Sequence, residues 1–565
     1  MLKHPIFILG MIFLFLSCNT KSMDIKSVEK IRINQLGYYP NSIKEFLLVD
    51  TEAEKFDLVD ADNKVVFSGS LKENGTWDKS GEKVLIGDFS EFKDEGKFKI
   101  SISSKLESEY FEIRANLYDE ALKASIKSFY LQRASMAIEE KYAGIYKRNA
   151  GHSDDKCRFH QSSGKNDGLL NSPGGWYDAG DYGKYIVNGA FSVGQMLNLI
   201  EQYPDVIPDN YLNIPESGNG NSDLWDELMY ELNWIKTMQD DDGGVYHKLT
   251  ALHFSGMIMP DEFDLERRII GKGTAATLNF AAVLAQASRL YKDIDESWSE
   301  EALSQAEKAW TWAKENDNIY FKNPKDVSTG EYGDKKFDDN FYWAASELFI
   351  ASGKEEYKKA INDYKQEYSY GMGATWNNFI KNIAFFSLLE NAEKIESKDY
   401  NELYEGQISM ADELLNSIEK NPYNVALEDY TWGSNSDFLC QAQILCYAHR
   451  ITKDEKYLRG AEQITDYIFG KNATGYCFLT GFGTKQVMNV HHRPSSADGI
   501  EKPVPGFIAG GPNSSKQDAR LVDYNSDYPA KCFEDVEASY ASNEVCINWN
   551  SPAVYVLAYI NENRK

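Results

Sequence analysis

The stretch Gly174-Gly-Trp-Tyr-Asp-Ala-Gly-Asp-Tyr-Gly-Lys-Tyr185 places two carboxylates, Asp178 and Asp181, three residues apart among four glycines and four aromatics. Glycine disfavours a regular helix and lets the backbone turn tightly. The aromatic rings, Trp176 among them, offer flat apolar faces suited to sugar rings or bases. A carboxylate held in such a loop is a candidate general base. Two readings stay open from spacing alone: a base in a ligand-binding loop, or an acidic turn between helices.

Two further clusters lie far along the chain. Gly481-Phe-Gly is followed by His491-His-Arg-Pro494 and Ala497-Asp-Gly499. Paired His beside Arg could bind a metal, a phosphate or sugar hydroxyls. Zinc would want a third spaced ligand, so directed donation to hydroxyls is the stronger reading. The last cluster runs through Asp518, Asp523, Asp527, Asp535, Tyr540 and Asn543-Glu544-Val-Cys-Ile-Asn548. A carboxyl half-buried beside apolar groups has its pKa raised, which suits Glu544 to general acid work; the competing reading is a helix-capping charge. Asp181 and Glu544 together would supply the two carboxyls that glycosidic cleavage needs.

The elements that must position these residues fall into two regions. Between Ile31 and Arg114 the hydrophobic period is two, with strands predicted at Ile31–Asn34, Glu45–Asp50, Phe56–Asp60, Lys64–Ser70, Lys83–Asp88, Lys97–Ser101 and Tyr110–Ile113. That pattern fits a small β-sandwich. After Leu117 the period becomes helical, over 118–139, 189–203, 223–239, 274–292, 298–315, 339–352, 356–365, 377–390, 405–419, 436–451, 455–469 and 550–561. No fixed repeat relates these helices, so a solenoid is not inferred. The connections 150–188, 240–273 and 470–549 are long, and loops of that length in a compact helical domain are usually functional.

Composition sets the partners. The 565 residues exceed one ordinary domain. A net charge of −27 argues against nucleic acid and other polyanions. The apolar run Ile6–Leu16 is too short to span a membrane and ends in Phe15-Leu-Ser-Cys18, which reads as a secretory signal over 1–18 of lipoprotein type, with Cys18 lipidated and 19–29 as a tether. The other six cysteines show no metal-binding or disulfide spacing and are expected to be mostly free, buried thiols.

The three clusters, in this order, resemble glycoside hydrolase family 9, the cellulase family. The resemblance covers nearly the whole mature chain: Ile31-Arg-Ile-Asn-Gln-Leu-Gly-Tyr38 is similar to the opening strand of the immunoglobulin-like domain, and Gly175–Lys184, Pro215–Gly220 with Asp223 to Glu227, Gly481–Pro494 and Asn543-Glu544 to the family's motifs. It implies a mainly α fold, with an immunoglobulin-like β-sandwich at 30–115 before an (α/α)6 barrel at 116–565. It implies Asp181 as general base, Asp178 as holder of the water, Glu544 as general acid, and His491 and Arg493 as sugar ligands. Tyr540 and Asp535 fall in the same motif, and Trp176 is a further candidate for the substrate. The family inverts, so the carboxyls are expected roughly 6.5–9.5 Å apart.

No cofactor is expected for the chemistry. Structural calcium is implied by the family, and Asp223, Asp226, Glu227 and Asp240-Asp-Asp242 are oxygen ligands of the hard type. The zinc site of some relatives corresponds here to Arg133-Ala134-Ser135, Gly151-His152 and Tyr177, of which only His152 is a ligand type, so zinc is expected to be lost; Cys157 and His160 are a nearby alternative. The resulting expectation is an endo-β-1,4-glucanase acting on cellulose-like glucan, xyloglucan or mixed-linkage glucan. It would be secreted and lipid-anchored at the outer membrane or cell surface, and monomeric. An exo-acting relative, a non-catalytic glycan-binding protein and a polysaccharide lyase are the alternatives.

Overall fold

The computed structural model describes residues 29–103, 106–373, 379–427 and 429–565. The expected signal and Cys18 lie outside the described residues.

The sandwich is built from β1 (Ile31–Arg32), β2 (Gly37–Tyr38), β3 (Glu45–Val49), β4 (Lys55–Asp60), β5 (Val65–Trp77), β6 (Glu82–Asp88), β7 (Gly96–Ile102), β8 (Leu106–Glu107) and β9 (Phe111–Ile113). The strand order is β1-β3-β6-β5-β4-β7-β9-β2, with β8 beside β7. β5 is longer than the predicted Lys64–Ser70: its first half pairs with β4 and its second half with β6, with an irregularity between Glu73 and Thr76. One strand thus joins both layers. Inward-facing Phe46, Leu48, Phe56, Leu58, Phe98, Ile100, Phe111 and Ile113 form the core between them.

The sandwich is docked on the helical domain by apolar packing, with the Trp77 ring 4.5 Å from that of Tyr423, and by polar contacts. Asn34 donates to Asp466 at 2.8 Å, Gln35 Oε1 accepts from Lys485 N at 2.8 Å, and Glu82 pairs with Lys531 at 2.9 Å.

Twelve principal helices follow: α1 (Asp119–Leu131), α2 (Ile186–Gln202), α3 (Asp223–Thr237), α4 (Thr274–Leu290), α5 (Glu296–Glu315), α6 (Asp338–Ser352), α7 (Glu355–Asp363), α8 (Lys381–Glu390), α9 (Ser397–Lys420), α10 (Ser434–Thr452), α11 (Glu455–Ile468) and α12 (Ile547–Arg564). Burial alternates along this series. α2, α4, α6, α8, α10 and α12 are buried on nearly every face, whereas α1, α3, α5, α7, α9 and α11 bury one stripe. A helix apolar all round must lie inside, and an amphipathic one outside. The result is an (α/α)6 barrel of six inner and six outer helices. Among the described residues no helix is long and apolar enough to cross a membrane.

The predicted helix 118–139 stops at Leu131, because Arg133 leaves the axis to bridge Trp176. The loops 150–188 and 240–273 carry a five-stranded sheet that the sequence did not reveal. It consists of β10 (Cys157–Phe159), β11 (Leu169–Leu170), β12 (Lys184–Tyr185), β13 (Tyr246–Ala251) and β14 (Arg267–Lys272), in the order β11-β10-β14-β13-β12. β10, β11 and β12, of two or three residues, are too short to show alternation, and the six-residue β13 and β14 are buried on nearly every residue and so do not alternate.

Candidate active site

Four of the six inner helices begin after the segments that carry the chemistry: α2 after Asp181, α6 after Tyr332, α10 after Trp432 and α12 after Glu544. Their N-termini therefore gather these segments at one end of the barrel.

The Gly174–Tyr185 loop is held from all sides. Tyr177 N donates to Gln132 O at 2.8 Å, Ala134 N to Gly175 O at 2.7 Å, and Ile547 N to Asp178 O at 2.8 Å. Beneath it, Lys184 and Arg267 both pair with buried Asp154 at 2.8 Å. Burial alone would raise the Asp154 carboxyl, but the two cations hold it down at about 2.

Within the loop the two aspartates differ. Asp178 is 1% exposed, and both oxygens are occupied: Oδ1 accepts from Asn188 Nδ2 at 2.9 Å and Oδ2 from the Tyr332 hydroxyl at 2.6 Å. Burial, then the negative charge of Asp181, pushes its pKa upward. Asp181 accepts at Oδ2 from Gly183 N at 3.0 Å and the Tyr185 hydroxyl at 3.1 Å. Its Oδ1 takes no bond from the described residues.

Glu544 sits in the turn before α12. It forms a parallel bridge with His491 and its carbonyl accepts from Gly510 N at 2.8 Å. Burial, then the charge of Asp181, pushes its pKa well above the usual carboxylate range, against the opposing pull of Arg493. Gly180 explains how the two clusters meet: a Cβ there would lie 2.1 Å from His491 O and 3.2 Å from Glu544 Oε1. Only glycine lets the Asp181 loop approach Glu544 this closely.

His491 donates from Nδ1 to Glu537 O at 2.7 Å, and burial lowers its pKa, so it is a neutral imidazole with Nε2 as acceptor. Arg493 is 5% exposed; its donors go to Gly180 O at 2.6 Å, Ser255 Oγ at 2.9 Å and Ser255 O at 2.9 Å, which makes it a brace for the loop. Asp535 binds Met488 N at 2.9 Å, Asn489 N at 2.8 Å and Asn543 Nδ2 at 3.2 Å, tying the His491 and Glu544 segments together. Tyr540 is half-buried, with its ring 5.5 Å from that of Trp432, an exposed aromatic that the sequence reading passed over.

Trp176 does not belong with the substrate ligands. Its side chain is 1% exposed and donates to Glu227 at 2.8 Å, so the indole is core and cannot meet a sugar. Tyr332 and Tyr185 hold the two aspartates and join the site residues. Tyr185 closes the glycine-rich stretch, whereas Tyr332 stands in no motif.

The candidate metal positions do not fit metals. Asp223 accepts from Asn210 N, Leu212 N and Ser217 Oγ, while Glu227 is paired with Arg133 at 3.0 Å. Asp240 takes the ammonium groups of Lys165 and Lys272, and Asp242 that of Lys272. Calcium at these carboxylates is therefore corrected: lysine and arginine neutralise Glu227, Asp240 and Asp242, backbone N–H groups and Ser217 occupy Asp223, and Asp226 meets Asn219. No group of three or more metal-ligating side chains occurs among the described residues. Where zinc was considered, His152 Nδ1 shares a 2.7 Å hydrogen bond with the Tyr177 hydroxyl and packs on Tyr182 and Phe263. Cys157 turns to Asp154, and His160 to Ser162 and Asp326. The six described cysteines are free and buried.

Comparison with known proteins matches the chain to the model of glycosyl hydrolase family 9 over residues 118–557, and to the cellulase N-terminal ig-like domain over 26–106. A xyloglucan-specific endo-beta-1,4-glucanase of Bacteroides ovatus is 38% identical over 562 residues, covering 95% of this chain and 94% of the relative. Endoglucanase D of Acetivibrio thermocellus is 32% identical over 550 residues, covering 94% and 84%. A solved family 9 structure from Bacteroides ovatus superposes with a TM-score of 0.89 at 36% identity, over 95% of this chain and all of that one. With two aspartates, a raised glutamate and an (α/α)6 barrel behind an immunoglobulin-like sandwich, the chain belongs to glycosyl hydrolase family 9.

Proposed function

We propose that the protein is an inverting endo-β-1,4-glucanase in which Asp181 is the general base, Asp178 orients the water and Glu544 is the general acid. One observation carries the division of labour: both oxygens of Asp178 are occupied by Asn188 and Tyr332, whereas Asp181 keeps Oδ1 available. The oxygen without a protein partner is the better placed to receive the proton, while the anchored Asp178 keeps a lone pair on each oxygen with which to hold the water. Asp181 takes a proton from water as that water attacks the anomeric carbon. Glu544, kept protonated by burial, gives its proton to the departing glycosidic oxygen. His491 Nε2, Tyr540 and Trp432 supply a hydroxyl partner and aromatic faces for the sugar.

The substrate class is a neutral β-1,4-glucan, with xyloglucan first on the strength of the relative named above. The net charge of −27 disfavours acidic polysaccharides. The protein is secreted and anchored through a lipid on Cys18, following the Phe15-Leu-Ser-Cys18 ending of the leader. It acts as a monomer.

The test is time-resolved product analysis on xyloglucan, mixed-linkage glucan and amorphous cellulose. Early production of long oligosaccharides from xyloglucan supports the reading. Monomer or dimer as the main product from the first minutes contradicts endo action. A Cys18→Ser variant that still partitions with membranes contradicts the anchor.

A further inference from the structure

Lys248 lies on β13 directly opposite Tyr185 of β12. Its side chain is fully buried. The ammonium donates to Asn323 Oδ1 at 2.7 Å, Gly330 O at 2.7 Å, Thr329 Oγ1 at 3.2 Å and Thr329 O at 3.3 Å. All four acceptors are neutral, and all belong to the connection between α5 and α6. Burying an ammonium without a carboxylate partner is costly, and an apolar side chain of the same length would fill the space without that cost. The charge therefore does something that packing does not.

What it holds is the segment that reaches both aspartates. Gly330 N donates to the Tyr185 hydroxyl at 3.1 Å, and that hydroxyl donates to Asp181 Oδ2. Two residues on, Tyr332 donates to Asp178. Tyr332 has φ +45°, a left-handed conformation that an aromatic residue adopts only when its surroundings impose it. His247, beside Lys248, adds a 2.9 Å bond to Glu331 O and stacks on Phe321 at 3.6 Å.

We propose that Lys248 is a positioning residue for hydrolysis: its ammonium clamps the 323–332 segment, so that Tyr185 and Tyr332 present their hydroxyls to Asp181 and Asp178. This rests on the reading of Asp181 as the base. Asp181 and Glu331 are the charged groups that face the ammonium and favour its protonation, but burial outweighs them and draws it down to about 7. Its neighbour His247 is neutral, lowered by burial to about 3. The clamp therefore weakens as pH rises above neutrality.

The experiment compares Lys248→Met, Asn323→Ala and Asp181→Gly on a soluble glucan, with and without sodium azide, recording kcat, KM and the thermal midpoint. Azide attacks the anomeric carbon without a base; the carbon–oxygen bond breaks, and the leaving oxygen takes the proton of Glu544. Lys248→Met is expected to lower kcat about 100-fold with KM little changed, as a misplaced catalytic group does, and azide is expected to restore part of the rate. Asn323→Ala follows in the same direction at about tenfold, and decides the matter if Lys248→Met does not fold. A thermal shift alone, with kcat and azide response unchanged in the folded variants, overturns the clamp while azide rescue of Asp181→Gly leaves the base intact. An Asp181→Gly variant that keeps its activity without azide overturns the base assignment and the clamp with it.

Discussion

Tyr332 donates a 2.6 Å hydrogen bond to Asp178 Oδ2, and Asn188 donates one to Oδ1, so both oxygens of Asp178 are anchored while each keeps a lone pair. Asp181, three residues on, spends one oxygen on Tyr185 and Gly183 and keeps the other. The two carboxylates of one loop are thereby given different work. Asp181→Asn should reduce kcat by about 10²–10⁴-fold, the range of a lost general base. Tyr332→Phe should cost about tenfold or somewhat more, the worth of one hydrogen bond to a charged group. Steady-state kinetics on a soluble glucan check both, and equal losses would contradict the division.

Burial, then the charge of Asp181, raises the Glu544 carboxyl well above the usual carboxylate range, which favours its protonated form. Activity that needs the protonated form is present below this pKa and is lost as pH rises through it, so Glu544 shapes the alkaline limb of kcat/KM together with the Lys248 clamp. Glu544→Gln should lose about 10²–10⁴-fold on an unactivated glucan and reduce that limb to the part set by Lys248. The loss should shrink on an aryl glycoside whose leaving group needs no proton. Comparable losses on both substrates would show that Glu544 does something other than protonate.

Asp154 supports the base loop as the shared partner of Lys184 and Arg267. Its folded pKa of about 2 lies below the ordinary 3.8, so its contribution is fully present above 3.8 and lost as pH falls towards 2. Asp154→Asn strands two buried cations and should destabilise by about 3–5 kcal/mol. Denaturant unfolding at neutral pH measures it, and the difference from wild type should narrow in acid.

Chelation should leave the thermal midpoint unchanged. The acidic groups that suggest calcium already hold Lys165, Lys272 and Arg133 or backbone N–H groups. A midpoint lowered by EDTA and restored by calcium would contradict this.

Much of the site is legible in the sequence, because Asp178 and Asp181 stand among glycines and aromatics that mark a tight, ligand-facing loop, and Glu544 stands beside apolar residues before the final helix. The barrel is legible too, since helices such as Thr274–Leu290 carry small apolar residues on every face. What escapes is what depends on distant partners. Tyr332 reaches Asp178 across 154 residues of chain, and no local pattern announces it. Trp176 reads as a sugar platform because its type is visible, while its 1% exposure against Glu227 is not. Glu227 reads as a calcium ligand until Arg133 appears beside it. The sheet of β10 to β14 escapes because its shortest strands have only two residues and its longest, β13 and β14, are buried without alternation.

The central claim is that water, activated by Asp181, attacks opposite the bond that Glu544 helps to break. Proton NMR of the reducing end in the first minutes of oligosaccharide hydrolysis tests it directly. The account predicts that the α-anomer appears first and then mutarotates. A β-anomer formed first would mean retention, and would contradict it.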